Sequence, residues 1–89
     1  MASVEAQQKW RQKNRMVKSQ LNIMARRLVH DSLDDIAELH GFRGKGEAAS
    51  FAVYVTRALL QQAEFNEEAA RLCEMFRAGY DRDRDAYAP

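Results

Sequence analysis

The sequence predicts a mainly α-helical protein with one short β-strand that pairs with the same strand of a second copy. Residues 17–24 alternate between apolar and polar side chains, with Leu21 and Ile23 on the apolar side, as in a half-buried strand. Elsewhere apolar residues recur every three or four positions, as in helices. No second strand is then available within the chain. We therefore expect a two-stranded antiparallel ribbon between two copies, because strand backbone groups need hydrogen-bond partners.

The chain has 89 residues, of which 46% are hydrophobic and 30% charged, which fits a single domain in a dimer. Its single cysteine, Cys73, excludes an internal disulfide. No apolar run has transmembrane length and the first residues do not resemble a signal peptide, so we expect a cytoplasmic protein without a membrane partner. We divide the chain into a basic arm (1–16), a central domain (17–63) and a C-terminal helix with its tail (64–89).

Positive charge is concentrated around the predicted strand. Residues 1–30 contain seven Lys or Arg and one acidic residue, Glu5. Residues 31–60 contain three basic and five acidic residues, and residues 61–89 contain four basic and seven acidic residues. A local basic field beside an element that fits a DNA groove is typical of nucleic-acid binding.

Three helices are expected after the strand. Gly41 and Gly79 are placed to end the first and third helices, and Asn66 is a suitable N-cap for the third. The tail after Gly79 is expected to be solvated. The predicted helices are about Leu28–His40, Glu47–Ala63 and Glu67–Ala78. The predicted dimer core consists of Leu21, Ile23, Val29, Leu33, Ile36, Phe51, Val55 and Leu59.

The polar side of the strand and the surrounding basic residues predict two kinds of DNA contact. Lys18, Gln20 and Asn22 would face base edges in the major groove, which admits a β-ribbon. The start of the second helix offers unpaired N–H groups to a phosphate. Phosphate contacts are expected from Lys9, Arg11, Lys13 and Arg15 in the arm, from Arg26, Arg27, Arg43 and Lys45, and from the backbone N–H groups of Gly46 and Glu47.

Roughly residues 19–59 resemble the ribbon-helix-helix (MetJ/Arc) family. The resemblance rests on the segment Gln20–Met24, the apolar positions Val29, Leu33 and Ile36, and the residues Gly41 and Glu47. The resemblance implies an intertwined homodimer whose β-ribbon reads bases through Gln20, Asn22 and Met24. Met24 stands where Arc-type strands carry an arginine, so its contact would be apolar. Arg43, Lys45 and Gly46 replace the family's small hydroxyl residues, so phosphate contact would come from main-chain N–H groups and Lys45.

The expected function is sequence-specific binding of double-stranded DNA by a homodimer, or by paired dimers, as a transcriptional repressor. One alternative is an antitoxin or plasmid or conjugation accessory protein whose residues 66–89 bind a protein partner. Another is a helix-turn-helix protein with residues 46–60 as its recognition helix. That helix is apolar at Phe51 and 53–55, and the alternation at 17–24 would be left unexplained.

Enzymatic, metal and cofactor functions are not expected. His30 and Asp34 lie one helical turn apart, but no third ligand has suitable spacing for a metal site. Cys73 has no basic partner nearby in the sequence and is expected to be a packed core thiol. No serine, histidine and aspartate arrangement with a recognisable context is present.

Overall fold

The computed structural model describes residues 17–89, which form three α-helices. Helix α1 comprises Arg27–His40, α2 comprises Lys45–Ala63 and α3 comprises Glu67–Tyr87. Helices α2 and α3 pack closely, α1 packs on α2, and α1 contacts α3 less extensively. The three predicted helices are confirmed, although α3 is longer than expected.

The predicted β-strand over residues 17–24 is wrong. Residues 17–26 contain neither helix nor strand, and no residue from 17 to 89 belongs to a sheet. The apolar side chains of Leu21 and Ile23 are 80% and 71% exposed. Alternation specifies which side of a strand is apolar, but a strand also needs a hydrogen-bonded neighbour. The ribbon-helix-helix fold with its β-ribbon is therefore not supported, and the described architecture is all-α.

Gly41 ends α1 as the sequence predicts. Its φ of 68° and ψ of 32° lie in the left-handed region, which glycine adopts without the steric cost of a Cβ. The Phe42 N–H donates to the Ala37 carbonyl at 2.8 Å, and the Gly41 N–H donates to the Glu38 carbonyl at 3.3 Å. These bonds satisfy carbonyl groups that the end of α1 would otherwise leave unpaired.

Three rings pack at the corner between α1 and α2. The centroid of His40 lies 4.6 Å from that of Phe51 and 5.3 Å from that of Phe42, and the Phe42 and Phe51 centroids are 5.3 Å apart. Phe42 belongs to the turn, while Phe51 lies two turns into α2. Aromatic pairs at such separations add stability beyond the area that they bury. The ring cluster therefore links the end of α1 to the following helix.

Asn66 caps the start of α3, as predicted. Its side-chain oxygen accepts from the N–H of Glu68 at 2.9 Å and from the N–H of Ala69 at 3.2 Å. Glu67 and Glu68 in the first turn complement the positive end of the helix dipole. The thiol of Cys73, one turn further along, is half-buried with its sulfur 3.9 Å from the Leu59 carbonyl oxygen.

The predicted end of α3 at Gly79 is wrong. The helix continues through Gly79 to Tyr87, so most of the expected solvated tail is helical. The ion pair between Arg77 and Asp81, at 3.3 Å, spans the glycine at i and i+4 spacing, which favours helix. Beyond it, a hydrogen bond from Arg82 lowers the pKa of the Asp83 carboxyl from its usual value.

Small side chains form the buried core of the described residues. Ala37 of α1, Ala48 of α2 and Ala69 of α3 are the hydrophobic residues buried there, and no large side chain is fully buried. Larger apolar side chains such as Leu33 and Leu59 are only half-buried. The described helices therefore bury mainly alanines between them, while much of their apolar surface remains exposed.

Replacing Gly41 with alanine is expected to lower the free energy of unfolding by about 1 kcal/mol, because a left-handed backbone is strained for a residue with a Cβ. Gly46→Ala is the matched control. Gly46 is helical, and a Cβ there meets nothing within 4 Å, so stability should be unchanged or rise by up to about 1 kcal/mol. Urea unfolding of both variants tests this, and equal effects of the two substitutions would contradict the left-handed cap.

Candidate nucleic-acid interface

The residues predicted to contact bases lie in an exposed segment without regular structure. Lys18, Gln20, Asn22 and Met24 are all exposed, and Met24 is 84% exposed. The apolar side chains between them are exposed as well, so nothing in the described residues separates an inner from an outer face. The amide groups of Gln20 and Asn22 are thus accessible, but without the rigid orientation that a paired strand would provide.

Arg26 links the N-terminal segment to the far end of the fold. Its Nε donates to the carbonyl oxygen of Ala88 at 2.7 Å across 62 positions of sequence. Ala88 is the C-cap of α3, where unpaired carbonyls and the negative end of the helix dipole favour a cation. The start of α1 and the end of α3 therefore lie together, and residues 17–25 leave the fold at this point.

Arg27 occupies the first position of α1 and remains accessible to a ligand. Its Nε lies 3.0 Å from Oδ1 of Asp31, one turn along the helix. The Arg27 side chain is 89% exposed, and an exposed pair of this kind contributes little stability. Its guanidinium can therefore exchange this carboxylate for a phosphate at small cost.

The start of α2 presents backbone donors, as predicted. Gly44 is the N-cap and provides no side-chain acceptor. The first helical hydrogen bond runs from the Ala48 N–H to the Gly44 carbonyl at 3.1 Å. The N–H groups of Gly46 and Glu47 come before this bond and donate to no other group among residues 17–89. Such a helix end carries a partial positive charge that suits an anion.

Lys45, predicted to contact a phosphate, is paired within the chain. Its Nζ lies 2.8 Å from Oδ1 and 3.1 Å from Oδ2 of Asp34 in the middle of α1. Both side chains are about half exposed, so the pair is weak and competes only modestly with a ligand. The sequence offered no signal for it, because the two residues are 11 positions apart and on different helices.

Three of the eight residues predicted to form the dimer core are exposed, and five are half-buried. Leu21, Ile23 and Val55 are exposed, while Val29, Leu33, Ile36, Phe51 and Leu59 are half-buried within the single chain. The sequence interpretation assigned no role to several other apolar residues that are exposed. These are Leu39 on α1, Val53, Tyr54 and Leu60 on α2, Phe65 in the following turn, and Met75, Tyr80 and Tyr87 on α3.

The predicted contacts of Lys9, Arg11, Lys13 and Arg15 lie outside the described residues. Within residues 17–89, no three His, Cys, Asp or Glu side chains are grouped as metal ligands. None of the three helices there has the length and apolar character needed to cross a membrane.

Comparison of the chain with protein family models, with curated proteins and with solved structures gave no match. The function is therefore inferred from the geometry and charge of the chain itself.

Proposed function

We propose that this chain binds double-stranded DNA through its basic N-terminal end, residues 1–30. The observation that carries the proposal is the charge distribution, with seven Lys or Arg residues and one acidic residue in this third of the sequence. The remaining two thirds contain more acidic than basic residues. Such segregation directs one end of a protein towards a polyanion, because phosphate neutralisation with release of counterions drives non-specific DNA binding.

The positions of the described cations support this proposal. Lys18 and Arg27 are exposed, and the latter stands at the point where residues 17–26 join α1. Arg43 is also exposed, directly before the N–H groups at the start of α2. Side-chain cations and helix N-termini are the groups that usually contact DNA phosphates and set the orientation of a protein on the duplex.

The amides of Gln20 and Asn22 are the groups proposed to recognise sequence. With no strand in the segment, residues 17–24 would approach DNA as an irregular arm. Arms of this kind read the minor groove with Arg, Lys, Asn and Gln side chains. Sequence-specific binding would suit a transcriptional regulator, and the proposal keeps the cytoplasmic location expected from the sequence.

The first test measures the affinity for a mixed-sequence duplex of about 30 base pairs at several salt concentrations. The logarithm of the association constant should fall linearly with the logarithm of salt concentration, with a slope of about −0.9 for each phosphate contacted. Arg27→Ala should weaken binding and reduce the slope by about one contact. Arg71→Ala is the matched control, because Arg71 is likewise an exposed arginine in a local ion pair, with Glu68 of α3.

Arg71→Ala should leave both affinity and slope nearly unchanged. Selection from a random duplex library then tests base recognition, since Gln20→Ala with Asn22→Ala should relax the selected sequence while the salt slope stays the same. A wild-type affinity that does not change with salt, or equal effects of the two arginine substitutions, would refute binding through the N-terminal end.

Because Lys45 is paired with Asp34, we predict that removal of this ion pair raises the affinity for DNA. Asp34→Asn removes the partner of Lys45 and should strengthen DNA binding several-fold by freeing its ammonium group for a phosphate. Asp35→Asn is the control, because it removes the same charge from the next position of α1, where the carboxylate makes no ion pair with residues 17–89. Equal gains from both variants, measured by fluorescence anisotropy, would show a general charge effect and exclude Lys45 as a specific contact.

A further inference from the structure

Helix α3 carries a continuous seam with the spacing of a coiled coil. Its members follow one another at intervals of four, three, four, three and four residues, which keeps them on one side of a helix. We call these residues the α3 seam: Ala69, Cys73, Phe76, Tyr80, Asp83 and Tyr87.

Among residues 17–89, only the first half of the α3 seam is covered by other parts of the structure. Ala69 is buried, and Cys73 is half-buried with its sulfur 3.9 Å from the Leu59 carbonyl of α2. From there onward the seam is open, with Phe76, Tyr80 and Tyr87 exposed by 56%, 42% and 44%. The second half thus continues a core-facing stripe beyond the point where α2 covers it.

We propose that the open half of the α3 seam packs antiparallel against the same half of a second copy. A two-fold axis between positions 80 and 83 places Phe76 opposite Tyr87 of the second copy, and Tyr80 opposite its Asp83. Each contact occurs twice, as an isologous interface requires. The pairing is formed by side chains of α3 alone and does not rest on the proposed DNA binding.

The order of side chains in the seam favours this register. Aromatic rings meet at its two ends, and the two central pairs each join a phenol to a carboxylate. Asp83 already accepts two hydrogen bonds from Arg82, both at 3.2 Å. A carboxylate has further lone pairs, so the Tyr80 hydroxyl of the second copy can donate to Asp83. The one charged position of the seam thereby gains a partner.

The charge of this part of α3 also favours a second copy over a strongly charged partner. Residues 77–87 contain three arginines and three aspartates and so have no net charge. Two copies of a surface with balanced charge meet without net repulsion, whereas a surface for a highly acidic or basic partner carries an excess of the other sign.

A shallow groove in the open seam allows close approach of another helix. It is lined by Met75, Phe76, Gly79, Tyr80, Arg82, Asp83 and Tyr87. The nearest atom to a Cβ placed on Gly79 would be an Arg82 side-chain nitrogen, at 3.8 Å. Glycine within a helix costs stability relative to alanine, and here it leaves room for an aromatic ring.

The area of the open seam predicts a reversible dimer. Three aromatic side chains, each about half exposed, offer about 300 Å² per copy, since a whole aromatic side chain buries 150–250 Å². A standard stable interface uses about 800 Å² per partner. Association should therefore depend on concentration in the micromolar range or above.

Mixed disulfide cross-linking tests the register directly. One chain carries Cys73→Ser with Phe76→Cys, and the other carries Cys73→Ser with Tyr87→Cys. In the proposed pairing the two new thiols face each other, and one Phe76–Tyr87 contact remains intact. Oxidation of the mixture should yield much more covalent dimer than oxidation of either chain alone, because like positions lie about 16 Å apart along the helix axis. Equal or negligible yields in all three samples would overturn the proposal.

Sedimentation of the full chain provides a second readout. Phe76→Ala should raise the dimer dissociation constant about tenfold, whereas Phe65→Ala should leave it unchanged. Phe65 is a suitable control because it is 81% exposed and lies outside the α3 seam. Circular dichroism checks that helix content is retained. A wild-type chain that stays monomeric at millimolar concentration, or equal effects of the two substitutions, would also overturn the pairing.

Discussion

The burial of three alanines is the constraint on which the rest of this structure depends. Each helix contributes one buried alanine, and no large side chain in the described residues is fully buried. Side chains as small as alanine bring helix backbones near one another, but they bury little apolar area and therefore supply little of the hydrophobic free energy. Hydrogen bonds and caps at the helix ends therefore do much to determine how the three helices are arranged.

These local contacts determine where the functional groups lie. The left-handed turn at Gly41 and the ring cluster of His40, Phe42 and Phe51 set the start of α2 against α1. The hydrogen bond from Arg26 to Ala88 brings the end of α3 to the origin of the basic N-terminal segment. A dimer formed through α3 would carry two such segments. Because linked sites raise the effective concentration of the second contact, the pair would bind a long polyanion more tightly than one chain.

The periodicity of the sequence predicted the three helices well. It did not predict contacts between residues that are distant in the sequence. Asn66 and Gly41 were predictable because caps depend on residues within a turn of the helix end. The strand at 17–24 was wrong because its alternation required a ladder that no described segment provides. A glycine at position 79 predicts a helix end, yet the neighbouring Arg77–Asp81 pair accompanies an uninterrupted helix. The Lys45–Asp34 and Arg26–Ala88 contacts join separate helices, so local spacing holds no signal for them.

The exposed apolar surface leads to the central inference that the folded chain gains stability from a second copy. The most direct measurement is the thermal unfolding midpoint over a hundredfold range of protein concentration. Association that occurs only in the folded state raises this midpoint as concentration increases. We predict a steady rise for the wild-type chain. A midpoint that stays constant across the range, with sedimentation showing only monomer, would contradict the inference.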